Sequence, residues 1–289
     1  MTDTLPGDRA RTALARTRFA DVRWVAETGS TNADAMELAR SGDVEGIVLV
    51  ADHQTAGRGR RGRTWEAPPG ASLMASVLLR PRASEAGATT MAVAVAAAEA
   101  IEELTGRRPG LKWPNDLVWP GDGSGTDRKL AGILAEVDWP AGSHVAGGWS
   151  APGPGDRMVV VVGIGINVAW GAMPADLEPI AVSLDHLTAP SAPPDREDLL
   201  VAFLRALDRT YGHLTAGPDG PDVVRRRWRE RSATLGQRVR VDLGADDVEG
   251  TAVDVTGEGH LVVETLEGER RVLAVGDVVH LRPVAPTDG

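Results

Sequence analysis

The segment Gly57-Arg58-Gly59-Arg60-Arg61-Gly62 and the residues directly after it decide what kind of sheet this chain can build. The six residues match G-x-G-x-x-G, the fingerprint of a dinucleotide-binding turn. Such a turn must run straight into a helix whose N-terminus holds the pyrophosphate. Here the chain runs instead into Trp65, a Pro68-Pro69-Gly70 turn and the apolar stretch Ser72–Leu79, which has the character of a strand. A loop that leads into a strand cannot open a doubly wound βαβ unit, and that fold is rejected.

The charge of the loop then needs its own explanation. Arg58, Arg60, Arg61 and Arg63 crowd into a chain whose formal net charge is −10. Guanidinium groups bind phosphates and carboxylates through paired hydrogen bonds and stay charged at any working pH. The interleaved glycines let the backbone come close to a ligand. Without a ligand, four like charges are expected to repel and leave the loop mobile, and a polyanion would order it. The plain alternative is a solvated basic loop. The acidic balance elsewhere argues against a general nucleic-acid binder. With no cysteine, disulfides, thiolate metal sites and an enzyme thioester are excluded.

The longest apolar run, Met91–Ala98, falls short of the roughly 20 residues of a membrane span. Arg9, Arg11, Arg16 and Arg18 have no apolar segment behind them, so no secretory signal is expected and the cytoplasm is the default location. Residues 1–20, polar and arginine-rich, are expected to be frayed or peripheral.

Periodicity divides the rest in two. Strands are expected at Asp21–Glu27, Ile47–Ala51, Ser72–Leu79, Leu111–Trp113 and Leu117–Trp119, with Leu130–Val137 and Met158–Val162 as hairpin partners. Helices are expected at Ala33–Ser41, Thr89–Thr105, Leu199–Leu214 and Asp222–Arg231, the last with Pro221 at its start. Thr31 and Asp34 have the spacing of a capping box. Pro120–Asp127 is expected as a surface loop and Pro140–Asp156 as a long exposed insertion. From Leu235 the pattern changes to five short strands of period two, ending near Leu281, which suits a small β barrel. The expected architecture is an α+β domain with a mixed sheet over residues 1–232 and a barrel over 233–289.

Three more segments carry polar groups in places that invite a ligand. Lys112-Trp113-Pro114-Asn115-Asp116 sets a lysine and an aspartate around a proline-fixed turn; Asp116 could meet Mg²⁺ held on phosphates, although Asn-Asp after proline is also an ordinary turn. Gly163-Ile164-Gly165-Ile166-Asn167 prolongs an apolar run; alternate glycines would admit a flat ring, or mark close packing in a buried strand. Ser30-Thr31-Asn32 is a natural helix cap, and a helix start can also bind a polar ligand. Lys129, before Leu130–Val137, is by itself only a lysine at a strand start.

Taken together and in order, Ser30–Asn32, Gln54–Trp65, Lys112–Asp116, Lys129–Glu136 and Gly163–Val168 resemble the biotin–protein ligases. The likeness runs over about residues 21–284 and implies a catalytic domain of the biotin/lipoate ligase type followed by an SH3-like barrel. It also implies a two-step reaction: biotin and ATP give biotinyl-5′-AMP, and a lysine of a biotin carboxyl carrier protein domain takes the biotin. By this resemblance Ser30, Thr31, Asn32, Gln54, Gly57, Arg58, Gly59, Arg60, Lys129 and Gly132 would form the biotin site. Arg58, Arg61, Arg63, Trp65, Lys112, Asn115, Asp116, Lys129 and Asn167 would form the ATP side, with Asp116 toward Mg²⁺. Lys129, Arg60 and Asp116 would carry the chemistry.

Bifunctional members of that family carry an N-terminal winged helix-turn-helix. Only 29 residues precede Ser30 here, without a two-helix pattern, so DNA binding and repression are not expected. Leu117–Arg128 is longer than is usual for the family. A homodimer through an edge strand or the barrel is compatible with the sequence. A lipoate–protein ligase and a non-catalytic biotin sensor are the alternatives. The arginine loop and the Lys-Trp-Pro-Asn-Asp segment favour biotin, and the presence of Lys112, Asp116 and Lys129 disfavours a sensor.

Overall fold

The computed structural model describes residues 5–121, 126–138, 152–244, 246–274 and 276–280. Most of the Pro140–Asp156 insertion and the middle of Pro120–Asp127 lie outside these residues, as does everything from Leu281 on.

The first unit is a seven-stranded mixed sheet in the order β1-β2-β3-β7-β6-β5-β4. Its strands are β1 (Val22–Thr28), β2 (Val48–Gln54), β3 (Ser72–Leu79), β4 (Gly110–Lys112), β5 (Asp116–Trp119), β6 (Arg128–Asp138) and β7 (Val159–Asn167). Only β1 and β2 run parallel. Strands β6 and β7 pair antiparallel from Ala131–Ile166 to Asp138–Val159, as the hairpin expectation has it. The helices are α1 (Asp8–Leu14), α2 (Thr31–Arg40), α3 (Ala83–Ala86), α4 (Thr89–Thr105), α5 (Leu184–Thr188), α6 (Arg196–Leu214) and α7 (Gly220–Arg229).

Period-two alternation assigns each face of this sheet a task. On β3, Leu73, Ala75, Val77 and Leu79 enter the main core, and on β7 so do Val160, Val162, Ile164 and Ile166. That core is closed by α4 and α6; the alanine-rich body of α4 lets a helix lie close to the sheet. The intervening residues face the other way. There α2 covers Leu78, Val159 and Val161 with Ala35, Met36 and Ala39. Beyond the end of that small cluster the same face is left with Ser72, Met74, Ser76, Gly163, Gly165 and Asn167. An alternation that keeps one face apolar therefore delivers the small and polar residues to a single patch.

The second unit is a five-stranded antiparallel sheet in the order β11-β10-β9-β8-β12, with strands β8 (Arg238–Asp242), β9 (Asp247–Val255), β10 (Leu261–Thr265), β11 (Arg270–Leu273) and β12 (Asp277–His280). It touches the first unit at defined points. Trp113 donates its indole N–H to the Gly259 carbonyl at 2.9 Å and its backbone N–H to Thr234 Oγ1 at 3.0 Å.

Two local expectations are corrected. Residues 1–20 are not wholly peripheral: α1 packs on α6, burying Ala10, Leu14 and Phe19, while Arg9 meets Asp195, Glu197 and Asp198. Of the arginines that suggested a frayed tail, Arg9 ties it to the acidic start of α6 and Arg18 to Asp208 farther along that helix. Thr31 is not a helix cap. Ser30 is the capping position, without a side-chain bond, and Asp34 accepts from Thr28 at 2.5 Å instead of closing a capping box. The Thr31 hydroxyl is diverted because a better-placed acceptor, Gln54, lies beside it.

Candidate active site

The patch left open on the sheet forms a cavity lined by Ser30, Thr31, Asn32, Gln54, Met74, Gly132, Gly163 and Gly165, with Arg58, Gly59, Arg60 and Trp65 over it. One end is polar. Gln54 Oε1 accepts the Thr31 N–H at 2.8 Å, and the Thr31 hydroxyl lies within reach of both Gln54 Oε1 (3.0 Å) and Ser76 Oγ (2.7 Å). Ser76 donates to Asn32 Oδ1 at 2.6 Å, and the Asn32 amide donates to the Leu134 carbonyl and to Glu136 at 2.8 Å. Glu136 in turn meets Arg58 at 3.3 Å. Asn32, at 4% exposure, thus has its donors and acceptor engaged within the protein. Gln54 has its carbonyl engaged, whereas its amide has, among the described residues, only the Met74 thioether at 3.4 Å. That leaves the Gln54 amide as an available donor at the cavity wall.

The floor is bare backbone. Gly132 and Gly165 are cross-strand partners on β6 and β7, and the Trp65 indole lies on both. A methyl group at Gly132 would stand 3.0 Å from the Lys129 side chain and 3.1 Å from Trp65; one at Gly165 would collide with the indole, and one at Gly163 with the Asn32 amide. The alternate glycines are therefore explained by close approach. The indole N–H is buried and has no hydrogen-bond partner among the described residues. With Trp65 seated there, this cavity has about 110 Å³ of free space.

A second cavity of about 690 Å³ opens on the far side of Trp65. Lys129, Asn167, Trp170, Met173, Leu177 and Ile180 line it. Lys129 belongs to both cavities, its ammonium 5.7 Å from the Trp65 ring centre and 2.8 Å from Asp116 Oδ1. That last contact is an ion pair without good hydrogen-bond alignment. Asn167 has its polar atoms engaged: its amide donates to the Val182 carbonyl at 3.2 Å, and its Oδ1 accepts from Ser72. It builds the wall rather than offering free groups.

The arginine loop is pinned, contrary to the expectation of a self-repelling one. Arg58 bridges to Thr64, a 3₁₀ turn spans Arg60–Gly62, and Arg61 takes the left-handed conformation at φ 54°. Each guanidinium has a carboxylate. Arg58 meets Glu136, while Arg60, Arg61 and Arg63 converge on Asp277 at 3.5, 3.6 and 3.1 Å, and Arg61 also meets Asp242. Asp242 and Asp277 belong to the second sheet, so the compensating charge comes from the other end of the chain. Burial pulls the Arg60 guanidinium below its ordinary pKa; Asp277 opposes this and Arg61 and Arg63 reinforce it.

The structure therefore brings Ser30, Thr31, Asn32, Gln54, Arg58, Gly59, Arg60, Arg63, Trp65, Asn115, Lys129 and Gly132 to one cavity. Gly57 and Arg61 lie on the outer side of the loop, facing a further cleft. Asp116 enters through its contact with Lys129. Lys112 lines none of these three cavities, and its backbone pairs with Asp116 across β4 and β5. Sequence reasoning assigned no role to Ser76, Glu136, Asp242 or Asp277. Ser76 had a signal, a polar residue within an apolar strand. The two aspartates had none.

Residues 27–146 match the biotin/lipoate A/B protein ligase family, and residues 234–281 match the biotin protein ligase C-terminal domain. A biotin–[acetyl-CoA-carboxylase] ligase of Mycobacterium tuberculosis is 39% identical over 267 residues, covering 89% of this chain and 88% of that protein. The Paracoccus denitrificans protein of the same name is 32% identical, covering 88% and 98%. A bifunctional ligase/repressor of Bacillus subtilis is 31% identical, and 69% of it is covered. Among solved structures, a biotin protein ligase from Aquifex aeolicus in complex with biotin and ATP superposes with a TM-score of 0.70 at 26% identity, covering 92% of this chain and all of that one.

Proposed function

Since the chain belongs to the biotin/lipoate A/B protein ligase family, we propose that it adenylates biotin with ATP and transfers the biotin to a lysine of a biotin carboxyl carrier protein domain. The observation that carries this is the position of Lys129, whose ammonium stands where two cavities of different character meet.

The polar cavity suits the ureido ring. Its carbonyl needs a donor, which the Gln54 amide supplies, with the Ser30 hydroxyl beside it, while the Thr31 hydroxyl, its proton committed to Gln54 or Ser76, offers its oxygen to a ureido N–H; an amide-like group buried without partners would cost about 1–3 kcal/mol. Thr31 and Asn32 are fixed by Ser76 and Glu136, so the recognition surface is set before the ligand arrives. The larger cavity suits the nucleoside, with Trp170, Met173 and Leu177 as apolar contacts.

In the first step a biotin carboxylate oxygen forms a bond to the α-phosphorus, and the bond from that phosphorus to the bridging oxygen of pyrophosphate breaks. Two anions must meet, so the protein's work is neutralisation and alignment. Lys129 neutralises the carboxylate and α-phosphate, and Asp116 orients the lysine. Arg58 and Arg60 close over the acyl-phosphate, while Arg63, which lines both cavities, meets the outer phosphates; Arg61, on the outer side of the loop, would join it only on leaving Asp242. The Trp65 N–H, unpartnered and buried, donates to an oxygen of the ligand. In the second step the carrier's lysine amine attacks the acyl carbon and AMP leaves with its electron pair. Lys112 lies outside the three cavities, and its place on the ATP side rests on the family resemblance alone.

Where Mg²⁺ accompanies the triphosphate, Asp116 would be one residue to hold it and the ion would offset phosphate charge; Lys129 faces the same carboxylate oxygen. We take residues 1–232 as the catalytic unit and 233–289 as the SH3-like unit, and place the reaction in the cytoplasm. No helix among the described residues is long and apolar enough to cross a membrane.

Incubation of the protein with biotin, ATP, Mg²⁺ and a carrier domain tests this, with biotinyl-AMP and the biotinylated carrier as readouts. Activity with lipoate in place of biotin, or no adenylate with either acid, overturns it.

A further inference from the structure

The outer wall of the larger cavity is one excursion of the chain, from Trp170 to Ile180, held at two ends. At its far end the backbone of Lys129 holds it: the Lys129 N–H donates to the Ile180 carbonyl at 2.7 Å, and the Val182 N–H donates to the Lys129 carbonyl at 2.9 Å. That tie belongs to the site already described. The near end is held differently. Gly171 has φ +61°, the left-handed region, and turns the chain out of β7 into the wall.

Both polar backbone atoms of Gly171 are gripped from α5. Asp185 Oδ2 accepts the Gly171 N–H at 2.8 Å, and His186 Nε2 donates to the Gly171 carbonyl at 2.5 Å. Asp185 is itself fixed. Its backbone N–H donates to the Val168 carbonyl at 2.9 Å, and its Oδ1 accepts the Ser183 hydroxyl and the His186 N–H at 3.0 Å. The Ser183 hydroxyl also lies 3.3 Å from His186 Nδ1. Next to this grip, the Trp170 indole donates to Ser72 Oγ at 3.1 Å, which fixes the ring at the cavity mouth. Neither Asp185 nor His186 lines the cavity.

We propose that Asp185 and His186 are positioning residues for the nucleotide. They hold Gly171 as the fixed end of the 172–180 wall, so that the packing surface of Trp170, Met173 and Leu177 is in place before ATP arrives. A wall that must be ordered by its ligand takes that ordering entropy out of the binding free energy, and a pre-fixed one does not. The effect falls on nucleotide affinity alone, because biotin's cavity is on the other side of Trp65. The proposal rests on reading the larger cavity as the nucleotide seat.

The test is calorimetric binding of ATP, without biotin, to the full-length wild type and to Asp185→Ala, Asp185→Asn, His186→Ala and His186→Gln, beside biotin binding and the KM for each substrate. Asp185→Ala and His186→Ala are expected to weaken ATP binding about tenfold and to raise the KM for ATP by a similar factor. Biotin affinity and kcat at saturating ATP stay within twofold. Asp185→Asn and His186→Gln, which keep an acceptor and a donor, recover most of the loss. Unchanged ATP affinity in the alanine variants overturns the proposal, as does a parallel loss of biotin affinity, which marks a general disturbance of the fold. Should an alanine variant fail to fold, Ser183→Ala, which removes a hydroxyl that fixes Asp185, is expected to weaken ATP binding and leave biotin binding unchanged; ATP affinity equal to wild type there overturns the proposal. Direct ATP binding does not depend on which acid is activated, so a protein that binds ATP but ignores biotin sinks the proposed function and leaves this inference standing.

Discussion

The indole of Trp65 lies on the bare backbone of Gly165, too close for any side chain at that position. The contact ties the arginine loop, which carries Trp65, to the sheet floor, and it separates the two cavities at Lys129. Gly165→Ala should therefore lift Trp65 off the floor. Adenylate formation is expected to fall at least tenfold with only a small change in Tm, read by thermal unfolding beside the reaction rate; full activity in that variant would remove Trp65 from the partition.

Lys129 faces both cavities and has Asp116 as its neighbour at 2.8 Å. Lys129→Ala should slow biotinyl-AMP formation by about 10²–10³-fold, the scale of removing one preorganised electrostatic group. Circular dichroism should show an unaltered fold, since the backbone pairing to Ile180 and Val182 does not need the side chain. Near-normal rates would take Lys129 out of the site.

Arg60 is the most enclosed of the four loop arginines, with a side-chain exposure of 21%. Arg60→Ala should raise the KM for biotin and let the adenylate leak, measured as retention of labelled biotinyl-AMP on a filter. Retention equal to wild type would count against a closing role.

Asp277 collects Arg60, Arg61 and Arg63 from the opposite end of the chain. Partly exposed pairs of this kind contribute about 1 kcal/mol or less each, so Asp277→Asn should speed adenylate dissociation about fivefold while leaving biotin binding unchanged. The difference should shrink at high salt, which screens exposed charges. A dissociation rate that ignores both the substitution and the salt would show that the second sheet does not hold the loop.

Ser76 is fully buried between Thr31 and Asn32. Ser76→Ala removes the hydroxyl that donates to Asn32, and one unsatisfied buried polar group costs about 1–3 kcal/mol. Biotin affinity should drop roughly 5- to 100-fold, with ATP affinity unaffected. Calorimetry with each ligand separates this from a general loss of stability, which would lower both.

Much of the fold and of the site is written locally. Apolar alternation placed the seven strands of the first sheet and the change of period at Leu235, because which face of a strand is buried is a property of neighbouring residues. The alternate glycines Gly163 and Gly165 marked a place of close approach, to a ring or to a packed neighbour, and the turn after Gly62 excluded a dinucleotide fold. The family resemblance rested on five such local segments. What only the tertiary structure decided was who neutralises whom. The partners of the arginine loop, Asp242 and Asp277, stand about two hundred residues away on another sheet. Asn32 and Asn167 each look like a ligand-binding amide in the sequence, yet in the fold their hydrogen bonds go to the protein itself. Long-range pairing of charges and saturation of buried polar groups depend on which elements meet in space, and no local pattern records that.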